Sequence, residues 1–209
     1  TFVAAIILWV AHLNYMDPAI ANLQPVLNSY WLMIHVAVIV ASYGPFTLAM
    51  VLGLVSLFLM IFTNEKNKEK MKLSIDEITY INEMALTVGL VMLTIGNFLG
   101  GRWANERWGR YWGWDPKETW ALISIMVYAF VIHARFVPAL RGRWIYNVMS
   151  VFAFASIVMT YVGVNFHLSG LHSYASGEKQ NVTYYIYIAI GVAIISALAY
   201  FPYRKYIKK

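Results

Sequence analysis

The chain contains no cysteine among its 209 residues, so it forms no disulfide and carries no thiol chemistry of its own. Charged residues are also few: they make up 12% of the sequence, against 60% hydrophobic residues. This balance excludes an ordinary soluble domain and predicts a polytopic membrane protein. The net charge of +6 does not indicate nucleic-acid binding, because basic residues in membrane proteins mainly set the orientation in the bilayer.

Long apolar runs predict an all-α fold, a bundle of about six transmembrane helices that forms one domain over residues 1–209. The predicted helices span residues 2–13, 31–62, 78–100, 116–137, 146–166 and 183–203. The first run is short, since roughly 20 residues are needed to cross a bilayer, and the sequence begins with Thr1. We therefore expect the sequence to be the C-terminal piece of a longer polypeptide.

Lysine and arginine are distributed unequally between the predicted loops. Eleven of the 16 lie in the loop 63–75, the turn 135–145 and the tail after residue 203, and five lie on the opposite side. The positive-inside rule places the richer side in the cytoplasm. This predicts cytoplasmic ends for the chain and an outer-face position for the loop between the third and fourth helices.

That loop, residues 101–120, is an external segment rich in tryptophan. Five of the eight tryptophans are Trp103, Trp108, Trp112, Trp114 and Trp120. An aromatic belt at the membrane surface is one interpretation, but a belt requires neither the glycines of this segment nor its Asp-Pro-Lys-Glu ending. We interpret the segment as a flat apolar platform for a flat apolar ligand.

Asp115 has two alternative roles at the end of this segment. Followed by Pro116 and by Glu118, it is typical of an N-cap and capping box that begin the fourth helix. Direct contact with a ligand is the other role.

Histidines on the outer side are candidate iron ligands. By the helical rise of 1.5 Å per residue, we expect His35 about 12 Å beyond the hydrocarbon on the outer side, and His172 follows the fifth helix on the same side. Two neutral imidazoles on opposite faces make a six-coordinate haem. An apolar slot and basic residues for the propionates, namely Arg102, Arg107 or Arg110, complete such a site.

His133 differs in depth from this pair. It lies roughly 26 Å below Pro116 along the fourth helix, near the cytoplasmic boundary. Ionisable residues within membrane helices are costly and usually functional.

The segment from Trp108 to Trp120 resembles the tryptophan-rich WWD signature of haem-handling proteins of cytochrome c maturation. Residues 28–36 and 170–175, which contain His35 and His172, resemble the CcsA (ResC) branch of this family, system II. The resemblance implies that haem b, iron protoporphyrin IX, is both bound ligand and substrate. It implies binding residues, with metal ligation by the three histidines: His35, His172, His133, Trp108, Trp112, Trp114, Asp115, Trp120 and Arg110.

The same resemblance implies a reaction and partners. Haem would move outward and be joined to the two cysteines of a CXXCH motif in an apocytochrome c, a holocytochrome c synthase (haem lyase) activity. A CcsB-like portion or subunit would supply the partner ligand of His133. The membrane would be a bacterial cytoplasmic membrane with the WWD segment on the periplasmic face, or a thylakoid membrane in a plastid.

Other functions compete with this interpretation. A CcmC-like protein would deliver haem to a chaperone without forming thioethers. A bis-histidine cytochrome b would carry electrons, and would need ligand pairs at two depths. A transporter with an aromatic gate would hold no haem, so the absorption spectrum of the purified protein would distinguish it from the rest.

Overall fold

The computed structural model describes residues 29–168, 170 and 182–208. Five helices, each long and apolar enough to cross a membrane, run through the described residues. They are α1 (Tyr30–Ile61), α2 (Lys68–Trp108), α3 (Pro116–Phe136), α4 (Arg143–His167) and α5 (Thr183–Ile207). No strand occurs among the described residues. The chain is an all-α, multi-pass membrane protein, as predicted; the predicted helix 2–13 lies outside the described residues.

Four predicted helices agree with the structure to within a few residues, but the prediction for α2 is wrong at both ends. The span 78–100 is in fact a helix of 41 residues, Lys68–Trp108. Its first turns are too polar to count as an apolar run, although a solvated helix tolerates them. Gly100 and Gly101 do not end the helix: a Cβ at Gly100 would overlap the imidazole of His35, and one at Gly101 would lie 3.1 Å from the carbonyl oxygen of Tyr111.

Helices α1 and α2 pack antiparallel through a face of α2 formed by Gly89, Gly96 and Gly100. A Cβ atom added at Gly89 would lie 2.8 Å from the ring of Phe46, and one at Gly96 would lie 2.8 Å from Ile39. From Gly89 to Gly96 the contact on α1 moves back by the same seven residues, from Phe46 to Ile39, as expected for antiparallel helices. Missing side chains thus let the two backbones approach closely, as is common between membrane helices.

A buried hydrogen-bond network joins α2 to α4 in the half of the bundle near the basic loops. Asn82 Nδ2 donates to Asn147 Oδ1 at 3.1 Å, and Asn147 Nδ2 donates to Thr79 Oγ1 at 2.9 Å. Ser150 Oγ donates to Asn82 Oδ1 at 2.9 Å. All four side chains are buried, so the network fixes the relative position of the two helices there.

Large apolar side chains remain exposed on the outside of the bundle. On α2 they form one stripe with a spacing of three or four residues: Met84, Val88, Val91, Ile95 and Phe98. This spacing keeps them on one helix face. Such a stripe is expected where a helix contacts lipid.

Candidate functional site

A largely apolar cavity of about 310 Å³ lies at the end of the bundle next to the tryptophan-rich segment. Its wall includes His35 from α1, Trp103 from α2, Trp112 from the segment, Lys117 from α3 and Thr160 from α4. The volume falls at the lower end of the range of roughly 300–1,000 Å³ for small-molecule sites. Residues from four helices and one loop therefore converge on a single site.

His35 is held by two neighbouring parts of α2. Its Nδ1 lies 2.7 Å from the carbonyl oxygen of Gly96, and because a carbonyl only accepts, Nδ1 carries the proton. The ring is stacked with Trp103, with centroids 6.4 Å apart and planes 11° apart. A Cβ atom at Gly100 would overlap the imidazole. In this tautomer the lone pair lies on Nε2, and an N–H donated to a carbonyl is the usual arrangement of a metal-binding histidine.

The contacts of His35 also give its position along the bundle. His35 lies level with Gly96 and Gly100, which are among the last residues of the apolar run 78–100. The cavity therefore lies at the end of this run that is next to the tryptophan-rich segment. The depth of about 12 Å beyond the hydrocarbon stays a prediction.

The tryptophans divide into two pairs. Trp103 is 1% exposed and packs edge-on against Trp108, with centroids 4.8 Å apart. Trp112 packs edge-on against Trp114 at 5.7 Å. Of the four tryptophans predicted to bind the ligand, Trp112 lines the cavity, whereas Trp108, Trp114 and Trp120 are not in its wall.

Trp114 has an unusual backbone conformation. Its φ is 58°, in the left-handed region that bulky residues rarely adopt, and its side chain is 70% exposed. Glu118 accounts for the bend: its Oε2 accepts the N–H of Gly113 at 2.8 Å and that of Asp115 at 3.2 Å. The two residues that flank Trp114 are thus drawn to one carboxylate oxygen.

The predicted capping box at the start of α3 is confirmed. Asp115 is buried, and its side chain accepts the N–H of Lys117 at 3.3 Å while Glu118 accepts the N–H of Asp115. Asp115 also contacts the segment after α4, since a Cβ at Gly170 would lie 2.5 Å from its Oδ1. His172, two residues further along the sequence, lies outside the described residues.

The arginines near the site are engaged with other side chains. Arg110 lies over the ring of Trp108 at 5.6 Å and 3.9 Å from the Oε1 of Glu118. Arg102 forms an ion pair with Glu106 at 3.0 Å.

Trp103 and Lys117, which both line the cavity, are not among the predicted binding residues, although both lie within the tryptophan-rich segment 101–120. The spacing of the α2 glycines at 89, 96 and 100 was the available signal for the close approach of α1.

His133 lies far from this cavity, at the other end of α3. Its Nδ1 lies 2.7 Å from the carbonyl oxygen of Ala129, and its ring is exposed beside Phe136, at 5.9 Å between centroids. Sixteen residues of α3, or roughly 24 Å, separate it from Lys117. His35 and His133 therefore belong to separate sites.

A π-helical turn in α4, Met159–Gly163, interrupts the regular helix beside the cavity. Thr160 in this turn lines the cavity, and its hydroxyl oxygen lies 3.0 Å from that of Ser124. The single hydroxyl proton of Thr160 has two carbonyl acceptors within reach, that of Ser156 at 2.7 Å and that of Trp120 at 3.2 Å. Such turns occur frequently at functional sites. Here the turn anchors α4 to the first half of α3.

Comparison with protein families matches residues 1–172 to the family described as Cytochrome C assembly protein. The chain is 51% identical to Protein NrfI of Wolinella succinogenes over 84% of its own length and 19% of that protein. It is 39% identical to the cytochrome c biogenesis protein CcsA of Chlamydomonas reinhardtii, over 73% of the chain and 42% of that protein. For CcsA of Prochlorococcus marinus the identity is 38%, over 75% and 57%. The chain thus spans from a fifth to somewhat over half of the length of these relatives.

Proposed function

This chain belongs to the Cytochrome C assembly protein family and takes part in cytochrome c biogenesis, and we propose that it does so by binding haem b in the outer cavity for attachment to an apocytochrome c. The activity proposed is that of a holocytochrome c synthase. Since the chain spans only part of its relatives, a CcsB-like portion or subunit is included in the proposal as a partner.

The geometry of His35 is the observation that carries the proposal. Its Nδ1 proton is donated to the carbonyl of Gly96 at 2.7 Å, which selects the tautomer that binds iron through Nε2. The absence of a side chain at Gly100 leaves the space that the ring occupies. An oriented imidazole beside an apolar cavity with aromatic walls suits a flat metalloporphyrin.

We propose His172 as the second outer ligand. Gly170, two residues before it, lies against Asp115 and Pro116 at the start of α3, so the chain after α4 approaches the tryptophan-rich segment. Trp112 in the cavity wall would contact the porphyrin directly. Trp108 would hold Trp103 in position by packing edge-on against it, since their ring centroids are 4.8 Å apart.

The reaction requires positioning more than chemical activation by the protein. Haem supplies two vinyl groups, and each cysteine S–H of the CXXCH motif adds across one of them, sulfur to one carbon and hydrogen to the other, without net oxidation. The protein holds the vinyl edge accessible and excludes water with its apolar wall. The histidine of the incoming motif takes the place of one outer ligand, so binding must be firm but exchangeable.

His133 is proposed as the ligand of a second haem position near the inner face. Its Nδ1–H is donated to Ala129, and its ring is exposed on a face that also carries Met126, Phe130 and Phe136. A partner helix that covers this face would supply the opposite ligand. The unequal distribution of basic residues supports placing this end in the cytoplasm and the cavity on the outer side.

The test is haem content and thioether formation in histidine variants of the protein expressed with its natural partners. His35→Ala and His172→Ala should each lose most of the outer haem and the synthase activity, and free imidazole should partly restore both by filling the vacant position. His133→Ala should deplete the outer site as well, because supply is interrupted upstream. His167→Ala, which removes an outer-side histidine with no assigned ligand role, is the control.

Unchanged haem content in both outer variants would exclude the outer bis-histidine site. A normal outer haem in His133→Ala would make that residue structural. If haem is bound but no thioether forms with any apocytochrome, haem delivery to a chaperone or electron transfer replaces synthesis as the function.

A further inference from the structure

Lys117 places a positive charge in the wall of the outer cavity. It lies in the first turn of α3 and lines the cavity, and its Nζ donates to Asn165 Oδ1 at 3.2 Å. Within the described part of the chain it forms no ion pair. Its hydrogen-bond partner there is thus a neutral amide, and the nearby carboxylate of Asp115, which acts on its charge through space, already serves as the N-cap of α3.

No other lysine or arginine among the described residues lines this cavity. Arg110 lies over Trp108 and faces the Glu118 carboxylate, and Arg102 is paired with Glu106. Lys117 is therefore the cation that a molecule in the cavity would meet.

The surroundings of Lys117 favour an anionic partner. Much of the wall is apolar, including Leu32, Val36 and Ile39. An ammonium that is partly removed from water is stabilised by an opposite charge much more than by a neutral amide. Glu118 also borders the cavity, but its carboxylate already accepts two backbone N–H groups.

We propose that Lys117 binds a carboxylate of the molecule held in the outer cavity, so that the site distinguishes a porphyrin diacid from its neutral ester. This inference rests on the proposed haem function and names the residue that orients the ligand within it. The propionates of iron protoporphyrin IX lie on one side of the macrocycle, and its vinyl groups lie on the other. Anchoring a propionate at Lys117 would therefore turn the vinyl groups away from α3 and Asn165.

The experiment is a spectroscopic titration of the purified full-length protein with iron protoporphyrin IX and, separately, with its dimethyl ester. A charge-assisted hydrogen bond corresponds to roughly 10- to 150-fold in affinity, so the unsubstituted protein should prefer the diacid by about that factor. Lys117→Met should lose this preference by weakening the diacid alone. Lys66→Met, in the exposed loop between α1 and α2, should leave both affinities unchanged.

Equal affinity of the unsubstituted protein for diacid and ester would overturn the inference even if Lys117→Met does not fold. A full diacid preference in Lys117→Met would overturn it as well. In both cases haem binding itself would persist, so the proposed function would stand. Failure of the unsubstituted protein to bind either porphyrin would overturn the proposed function, and this inference with it.

Discussion

His35 and His133 make the same hydrogen bond but depend on different parts of the molecule for it. In each, Nδ1 lies 2.7 Å from a backbone carbonyl oxygen. The carbonyl that orients His35 belongs to Gly96 on another helix, whereas the one that orients His133 belongs to Ala129, one turn earlier on its own helix. The orientation of His35 is thus sensitive to helix packing, and that of His133 is not.

Substitution of Gly100 by alanine should displace His35. The added Cβ would overlap the imidazole, and overpacking of this kind costs about 1–3 kcal/mol. If His35 moves to relieve the overlap and this whole free energy is lost from haem binding, haem affinity falls by roughly 5- to 150-fold. Haem retained per protein after purification measures this loss. Gly44→Ala is the matched control, because nothing lies within 4 Å of its added Cβ. Full haem retention in Gly100→Ala would mean that His35 does not need its present position.

The tryptophans should differ in their effects on haem binding. Trp112 lines the cavity and Trp120 does not, so Trp112→Ala should weaken haem binding by about 1–3 kcal/mol. Trp120→Ala should change haem affinity by less than about threefold. Trp120 contacts the cavity residue Thr160 through its backbone carbonyl, which the substitution keeps. Titration with haem compares the two. The reverse order would show that the ligand lies along α3 rather than in the cavity.

Those helix ends that depend on neighbouring residues in the sequence could be predicted. The start of α3 at Pro116 and its capping box followed from residues within four positions of one another, and both are confirmed. The ends of α1 followed from a run of apolar residues bounded by polar ones. The length of α2 did not follow from local pattern, because its first turns are polar and its later turns contain glycines that pack against α1.

The composition of the cavity wall could not be predicted from the sequence. That Trp103 stacks on His35, and that Lys117 lines the same cavity, depends on the antiparallel pairing of α1 with α2 and on where α3 meets them. These are contacts between distant parts of the chain. No single segment carries a signal for them.

The buried network between α2 and α4 should stabilise their association alongside the ion pair of Arg143 with Asp76. Asn147→Ala would leave the buried Nδ2 of Asn82 without its acceptor, while Ser150 still donates to Asn82 Oδ1. An unsatisfied buried donor costs about 1–3 kcal/mol, and within a membrane bundle the lower end of this range applies. Thermal unfolding in detergent measures the change. Asn105→Ala near the C-terminal end of α2, where the residue is partly exposed, should be nearly neutral. Equal stability of the two variants would show that the network contributes little.

Helix α2 links the two ends of the bundle without a break. Its 41 residues correspond to about 62 Å, roughly twice the hydrocarbon thickness of about 30 Å. The helix therefore extends beyond the apolar layer at both ends. The basic loop before it and the tryptophan-rich segment after it lie on opposite sides of the membrane.

The lack of native cysteine makes this sidedness directly measurable. Single cysteines introduced as Lys66→Cys and Glu106→Cys mark the two ends of α2. In intact cells a membrane-impermeant maleimide should label Glu106→Cys alone, and Lys66→Cys should react only after the membrane is opened. The opposite pattern would invert the proposed orientation and place the cavity on the cytoplasmic side.

The glycine face of α2 also restricts how the gene can change. Any single-nucleotide change that turns a glycine codon into a codon for another residue adds a side chain, and at Gly89, Gly96 and Gly100 that side chain has no space. No conservative replacement exists at these codons. Gly44 and Gly191, with no neighbouring atom within 4 Å, carry no such restriction. Inherited variation should therefore accumulate at those two codons while the α1–α2 pairing is held nearly fixed, and with it the place of His35.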